Sequence, residues 1–350
     1  GKVRIMGARE QEYSYARESS TQLGTEFSGG KVSFARKNSS SRRTEKAEWV
    51  GSRMGSSGDI SMTSSGNMQI VGSQLNSQGD LNLDSGGDIH VLTGSDMKRT
   101  SRSRSTSEFK VEGTAGGSSA ELFAGYEKDR HVTTEEKRTS VASQLTGKNV
   151  SLDSERDINV VGSDLAATGE MTEESLKGGN LELDAGRDLN TSAGISEQTQ
   201  TVIDENFRTG ISITARENVS SASRAVRNVG DASNNVNRAS SALRAVDSVS
   251  AARSGGVTSS AGVVAEWSRS ERSSTSQQAR VSALSAANNM TLKSAEDQNH
   301  SGTRAFAGNN LEVDSGGEVN LNSAQNRRSM TTTSENASIN IGLSEQGPSV

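Results

Sequence analysis

The feature that most constrains this chain is a 21-residue repeat of short apolar runs, first seen in residues 58–94. Ile60 is followed eight residues later by Met68, and the pair recurs 21 residues on as Leu81 and Ile89. Apolar residues alternate with small or polar ones in each run, which is typical of strands that bury one face. Glycine steps separate the runs, where the chain must turn tightly. A fixed period of this length with such short strands predicts a solenoid, here an all-β, right-handed parallel β-helix.

The amino-acid composition fits a thin core of this kind. Hydrophobic residues make up 30% of the chain and aromatic residues 3%, values that also occur in disordered chains. The 21-residue phase returns in distant parts of the sequence, which argues against disorder. There is no cysteine, so disulfides are excluded, and the net charge of −5 argues against nucleic acid as a partner. The pattern is already under way at Val3, so we expect a piece of a longer chain.

The repeat is confined to three coil blocks, which alternate with longer and more polar inserts. The coil blocks are residues 58–96, 147–194 and 289–324, and the inserts are residues 7–50, 97–145, 195–281 and 326–350. Each insert contains an alternating run such as Ile211 and Ile213, so we predict β-arms that protrude from the coil. About half a coil of extra sequence precedes Leu181. Gln298 and His300 stand at positions that are apolar elsewhere, and we expect that coil to be the loosest.

One part of the third insert changes its periodicity. Between residues 218 and 253 the apolar residues, for example Val219, Val226 and Val229, fall at spacings of three, four and seven. Such spacings place apolar side chains on one side of a helix, so we predict one helical insert here. Three interpretations stay open: a surface helix on the solenoid, a partly disordered segment, and a helix that seeks a membrane or a partner.

Residues able to carry catalysis or bind a metal are scattered. His90, His131 and His300 are far apart in sequence, and we interpret each as a surface residue. No ligand-spaced cluster of His, Asp or Glu predicts a metal site, and no nucleophile is paired with a base. We therefore assign no catalytic, cofactor-binding or metal-binding residue, and we expect the chain not to be an enzyme.

One recurring carboxylate supports a weaker alternative. An aspartate follows equivalent apolar residues in the coils, at Asp84, Asp153, Asp184 and Asp314. Some parallel β-helices cleave carbohydrates with clustered aspartates on one face. The regular recurrence at one place in the coil favours a requirement of the turn over an active site.

The inserts hold most of the aromatic residues and two basic runs. The candidate partner-contact residues are Phe109, Phe123, Tyr126, Lys98, Arg99, Arg102 and Arg104. The rings could form small cores where the arms fold, or face a partner. The basic runs, 36–46 and 98–104, fit solvated strand faces, or surfaces for anionic lipid or polysaccharide.

Two stretches carry a family resemblance: GSQLNSQGDLNLDSGGDIHV from Gly72, and GSDLAATGEM from Gly162 with GGNLELDAGRDLN after it. They resemble the haemagglutinin repeats of filamentous haemagglutinin-like exoproteins, which are exported by two-partner secretion. The alternation with Ser-, Thr- and Arg-rich inserts is similar to the more C-terminal repeat region of the members that deliver toxins. Asn309 and Asn310 replace the usual Gly-Asp in the third block, which departs from the motif.

The resemblance implies a role for the whole protein. It implies a secreted or cell-surface segment that contacts the target-cell envelope, through its outer membrane or a surface receptor. It also implies help in delivering a C-terminal toxin in contact-dependent growth inhibition, with export through an outer-membrane transporter that recognises a region outside this chain. The alternative that it implies is a non-enzymatic adhesin shaft that binds host or neighbouring-cell surfaces.

Overall fold

The computed structural model describes residues 1–28, 31–116, 119–173, 175–216, 258–344 and 347–349. These residues form β-strands joined by short turns, and no helix occurs within these ranges. Accordingly, no helix in this part of the chain could cross a membrane. The helical prediction for residues 218–253 lies outside the described residues.

Three parallel sheets run the length of the coil, and each turn contributes one strand to each. Sheet I consists of β4 (Arg53–Ser56), β7 (Gln74–Ser77), β12 (Gln144–Gly147), β15 (Asp164–Ala167), β22 (Ser282–Ala286) and β25 (Thr303–Ala307). Sheet II consists of β5 (Ile60–Ser64), β8 (Leu81–Ser85), β13 (Val150–Ser154), β18 (Leu181–Ala185), β23 (Met290–Ser294) and β26 (Leu311–Ser315). Sheet III consists of β1 (Val3–Met6), β6 (Met68–Val71), β9 (Ile89–Leu92), β14 (Ile158–Val161), β19 (Leu189–Ser192), β24 (Gln298–Ser301) and β27 (Val319–Asn322). The predicted all-β parallel β-helix is confirmed.

The inserts form a fourth, antiparallel sheet, which we call the arm sheet. It consists of β2 (Ala8–Ser28), β3 (Lys31–Val50), β10 (Gly94–Gly116), β11 (Ser119–Val141), β20 (Gly194–Arg216), β21 (Thr258–Arg280), β28 (Arg327–Ser344) and β29 (Gly347–Ser349). A separate small hairpin contains β16 (Glu170–Met171) and β17 (Leu176–Lys177), and it holds the extra sequence before Leu181. The first three arms are hairpins of long strands, and in the fourth the long strand β28 pairs with the three-residue strand β29. Neighbouring arms pair edge to edge.

Inserted arms do not disturb the phase of the coil. Ile60 pairs with Leu81, Leu81 pairs with Val150 across a whole arm, and Val150 pairs with Leu181. The eight-residue spacing of the repeat, as from Ile60 to Met68, leads from a strand of sheet II to the next strand of sheet III. The coil blocks were predicted to begin at residues 58, 147 and 289, but the strands of sheet I begin each block earlier. The sequence did not show these strands, because a strand such as Arg53–Ser56 has little apolar alternation.

Apolar columns fill the coil as the 21-residue phase predicts. Seven of the residues expected to point inward are buried: Ile60, Leu81, Ile89, Val150, Ile158, Leu181 and Leu189. Leu311 and Val319 pair into the same columns but are 49% and 44% exposed. Their strands, β26 and β27, are the last of their sheets, so no described strand stacks on their other side.

Two polar residues of the fifth turn, Gln298 and His300, are buried and have hydrogen-bond partners. Gln298 is fully buried, and its Nε2 donates to the carbonyl oxygens of Leu292 at 3.0 Å and Asp314 at 2.6 Å. His300 lies beside it, with Nδ1 2.8 Å from the Thr191 hydroxyl oxygen and Nε2 3.1 Å from the Gln298 Oε1. The interpretation of His300 as a surface residue is therefore wrong, because its position in a strand of the coil faces inward.

The corner between sheet III and sheet I alternates between two forms. One corner is a tight turn at Gly72, Gly162 or Gly302, with φ of 52°, 52° and 66°, and the next corner opens into an arm. A Cβ on Gly162 would lie 2.7 Å from the Cα of Gly194, at the root of the adjacent arm. Both the backbone conformation and the close approach therefore require glycine.

Alternate corners set the spacing of the arms. Two turns of the coil advance about 9.6 Å, since parallel strands lie about 4.8 Å apart. A two-stranded hairpin needs the same width, because its strands also lie about 4.8 Å apart. One arm for every two turns therefore lets neighbouring hairpins join into one sheet. At the first root, the Trp49 backbone N–H donates to Asp96 Oδ1 at 2.7 Å, and the indole Nε1 donates to the Gly72 carbonyl at 3.2 Å.

Candidate functional site: the two faces of the arm sheet

Regular pairing across the arm sheet aligns side chains in rows. Phe109 pairs with Tyr126 on one side and with Ala35 on the other, and this register continues through the neighbouring arms. Side chains alternate between faces along each strand. We call the face that carries Phe109 the stripe face, and the face that carries Arg102 the basic face.

Aromatic and aliphatic side chains cross the stripe face near the outer ends of the arms. These residues, which we call the apolar stripe, are Leu23, Phe109, Tyr126, Phe207, Ile211, Val263, Trp267, Ile339 and Ile341. Leu23 is 84% exposed and Ile339 is 59% exposed, so solvent reaches the stripe at both ends. The stripe extends about 29 Å across the strands and about 13 Å along them. Contiguous exposed apolar surface of this kind is typical of interaction sites.

Three rings lie together within the stripe. The ring centroids of Phe109 and Tyr126 are 5.1 Å apart with an interplanar angle of 53°, and those of Tyr126 and Phe207 are 6.4 Å apart. These are ordinary tilted aromatic pairs. They stiffen a surface that presents large rings, which are the side chains that dominate contact energy at interfaces.

Phe123 is separated from the other predicted rings. It is 1% exposed and lies on the basic face, where the guanidinium of Arg208 stands 3.8 Å from the ring centroid. The ring packs over Gly125 and Gly210, which leave room for it. Phe123 therefore belongs to the packing of the arm and not to its exposed surface. Its spacing from Tyr126, an odd number of residues along one strand, is the signal that distinguishes the two.

Ion pairs cover the basic face at its outer end. Lys110 is buried and bonds to Glu127 and, at 2.7 Å, to Glu112, while Lys31 pairs with Glu108. Burial acts to lower the pKa of Lys110, but its bonds to the two glutamates outweigh that effect and raise the pKa. This end of the face is an internally neutralised network.

Nearer the coil, the same face carries charges of both signs, and Lys46 pairs there with Glu48. Lys98, Arg102 and Arg104 project here, whereas Arg99 projects from the stripe face, in the row of Glu45 and Glu136. The predicted basic cluster is thus divided between two faces. Six cations occupy the part of the basic face next to the coil: Arg42, Lys46, Lys98, Arg102, Arg104 and Lys137. Six carboxylates are interleaved with them: Glu10, Glu12, Glu18, Glu48, Asp96 and Glu135.

The recurring coil aspartates form a column on sheet II and do not sit in turns. Asp84, Asp153 and Asp184 are in-register neighbours within strands, and Lys293 separates them from Asp314. Burial raises the pKa of Asp153, and the nearby Asp184 and Asp84 raise it further. The interpretation of these aspartates as a turn requirement is therefore wrong. Within the described residues, no group of three or more His, Cys, Asp or Glu side chains could hold a metal ion.

A β-helix that carries an extended sheet of arms defines an elongated repeat protein with a large surface for contact. The chain belongs to the hemagglutinin repeat family, whose model matches residues 32–172, 124–264 and 263–347. This family consists of structural and adhesive repeats and is not a family of enzymes, and such repeats are typical of secreted or cell-surface proteins. The comparison with curated proteins gave no match.

Proposed function

We propose that this chain is an extracellular segment of a two-partner secreted exoprotein that contacts the target-cell envelope and helps deliver a C-terminal toxin in contact-dependent growth inhibition. The observation that carries the proposal is the apolar stripe, which is exposed on a sheet that stands away from the coil. The partner in this proposal is the outer membrane of the target cell or a receptor on it. Export would use an outer-membrane transporter that recognises another region of the protein.

Exposed rings on a paired sheet are suited to such a contact. Arm strands of 23 residues can extend about 75 Å at about 3.3 Å per residue. The stripe lies in the outer part of that length, where a partner can approach without meeting the coil. Because Phe109 and Tyr126 are already held by cross-strand pairing, little side-chain entropy remains to be lost on binding.

The test replaces the two paired rings and keeps the arm. Phe109→Ser with Tyr126→Ser should lower binding to isolated target-cell envelopes by at least about tenfold, because interface rings carry much of the contact energy. Binding is measured by co-sedimentation of the purified 350-residue chain. Delivery is measured by growth competition with the full-length exoprotein that carries the same substitutions.

Tyr13 and Tyr15 supply a matched control. They are 59% and 56% exposed on the stripe face but lie near the arm root, outside the stripe. Tyr13→Ser with Tyr15→Ser should leave binding and delivery unchanged. A lower melting temperature for the Phe109 and Tyr126 variant, with unchanged binding per folded molecule, would show that these rings only pack the arm.

An adhesin shaft is the second candidate, and family membership supports it. An adhesin would use the same stripe to hold a host or neighbouring cell without inhibiting its growth. The growth competition separates the two functions, since adhesion without target-cell inhibition supports the shaft.

A further inference from the structure

Four charged residues form a row on the stripe face, along the edge of the apolar stripe that is nearer the coil. We call it the alternating row, and in the strand order β11, β20, β21, β28 it consists of Arg130, Glu205, Arg269 and Glu335. Within one copy, a carboxylate oxygen of Glu205 lies 3.1 Å from the Arg130 guanidinium, and the other lies 3.9 Å from that of Arg269. Because the sign of the charge changes at every strand, the row is complementary to itself when its order is reversed.

A second copy of the chain supplies this reversed order. If it stacks on the stripe face about a two-fold axis that runs parallel to the strands between β20 and β21, its β21 lies over β20 and its β28 lies over β11. Arg269 of the second copy then faces Glu205, and the same axis brings Glu335 over Arg130. Every position of the alternating row meets an opposite charge.

The apolar rows beyond the alternating row match their own reversal as well. About the same axis, the facing pairs are Phe207 with Trp267, Tyr126 with Ile339, Ile211 with Val263, and Ala124 with Ile341. Ile211, Val263 and Ile341 are exposed within one copy, so the contact would remove apolar surface from water. The small side chain of Ala124 leaves room for the larger Ile341, as in the interdigitated core of two stacked sheets.

The alternating row favours a second copy over a lipid surface on these four strands. A layer of anionic headgroups would meet two carboxylates as well as two guanidinium groups in the row, and would gain little net attraction. A second copy gains from all four positions, and the charges also fix its register.

The facing area is sufficient for a weak dimer. Four strands and four rows cover about 19 Å by about 27 Å, so about 1,000 Å² is buried in total on the two copies. This area lies at the lower limit for specific interfaces, and we expect a micromolar dissociation constant. The alternating row lies about 36 Å from the arm root at Gly194, so the two coils can lie side by side with their arm sheets inclined toward each other.

We propose that two copies of this chain pair through the stripe faces of β11, β20, β21 and β28, about a two-fold axis parallel to the arm strands. Because identical surfaces face each other, the contact closes at two copies and does not propagate. Leu23 and Phe109 lie on β2 and β10, so the dimer leaves them open to another partner. The dimer goes beyond the envelope contact proposed above and does not rest on it, and it is measured without envelopes.

Charge reversal in the alternating row tests the dimer. Arg130→Glu with Arg269→Glu makes the row wholly anionic, and Glu205→Arg with Glu335→Arg makes it wholly cationic. Either variant alone brings like charges face to face, so its self-association should weaken at least about tenfold. An equimolar mixture of the two variants should pair again, because each position then meets an opposite charge. Sedimentation equilibrium of the purified 350-residue chain measures the association.

A matched control separates the position of the charges from net charge. Arg272→Glu with Arg328→Glu adds the same negative charge as the anionic variant, but on the basic face of β21 and β28. Its self-association should stay within about twofold of the wild-type value, because distant charges are screened by salt. Circular dichroism checks that every variant folds, and recovery in the mixture shows that both reversed rows still present an intact stripe face.

A cross-link tests the register of the two copies. The chain has no cysteine, so a mixture of the single variants Ile211→Cys and Val263→Cys contains only the two introduced thiols. Mild oxidation should give more covalent dimer in this mixture than in either variant alone, because these two positions face each other across the axis. A wild-type chain that stays monomeric up to about 1 mM, or a charge-reversed mixture that stays monomeric, would overturn the proposal. A monomeric chain that binds vesicles of phosphatidylethanolamine and phosphatidylglycerol would also overturn it, and would assign these strands to a lipid surface.

Discussion

The coil and the arm sheet are built from strands of the same chain, yet different forces hold them. In the coil, each short strand buries one face in a stacked column, as Leu81 does between Ile60 and Val150. In the arm sheet, strands of about 20 residues leave both faces in contact with solvent over most of their length. Their stability comes from long runs of backbone pairing and from cross-strand ion pairs such as Lys110 with Glu127.

The difference between coil and arm sheet determines which positions of the chain tolerate a change of residue type. A column position in the coil is fixed by its neighbours above and below, so it must be apolar or, like Gln298, fully hydrogen-bonded. An arm position needs only to suit an extended strand and the charge opposite it. The arms can therefore carry rings on one face and charged side chains of both signs on the other without disturbing the fold.

The largest expected effect comes from removing one turn of the coil. A chain that lacks residues 53–73 joins Ser52 to Gln74. These two residues are already neighbours at one corner, where the Gln74 backbone N–H donates to the Ser52 carbonyl oxygen at 2.8 Å. The coil should survive, but the roots of the first two arms would lie about 4.8 Å apart when a hairpin needs about 9.6 Å. We expect β3 and β10 to lose their pairing. Hydrogen exchange of peptides from these strands measures the loss.

A longer deletion is the control for this prediction. A chain that lacks residues 53–143 loses two turns and one arm together, so the remaining arms keep their spacing. Strand β3 should then stay protected by pairing with β20. If the one-turn deletion left β3 protected as well, the arm spacing would not depend on the coil.

An intermediate effect is expected from placing a charge in a column. Leu81→Asp should destabilise the coil by several kcal/mol, about 3 or more, because an unpaired carboxylate would be buried between stacked turns. Leu23→Asp, at a position 84% exposed on an arm, should change stability by less than about 0.5 kcal/mol. Denaturant unfolding followed by circular dichroism measures both. Similar losses for the two variants would remove the contrast between coil and arms.

The smallest effect concerns the pH dependence of the fifth turn. Burial lowers the pKa of His300 below its ordinary value, so near that value the unfolded chain binds a proton that the folded chain does not. Stability should be fully present above the ordinary histidine pKa and should fall as pH drops through it toward the folded pKa. His300→Val, which restores the residue type of Val160, should flatten the melting temperature between about pH 7 and pH 5. An unchanged slope would assign the dependence to other groups.

Much of the coil followed from the sequence alone. The 21-residue phase predicts the columns of sheets II and III, and the alternation within each run identifies the inward residues. Sheet I was not predicted as a separate sheet, because one apolar residue in a four-residue strand, such as Leu75 in β7, gives too short a pattern. The aspartate column was assigned to turns for a related reason, since sequence shows spacing but not where a strand ends.

The candidate surfaces depended on tertiary structure. The sequence by itself determined which residues are basic or aromatic and that the inserts are β-arms. Only the pairing of β3 with β10 decided that Arg42 and Arg102 share one surface, because register between arms is set by the coil that spaces their roots. Strand alternation then placed Phe109 with Tyr126 in the exposed stripe and buried Phe123 on the opposite face, since neighbouring side chains of a strand point to opposite sides.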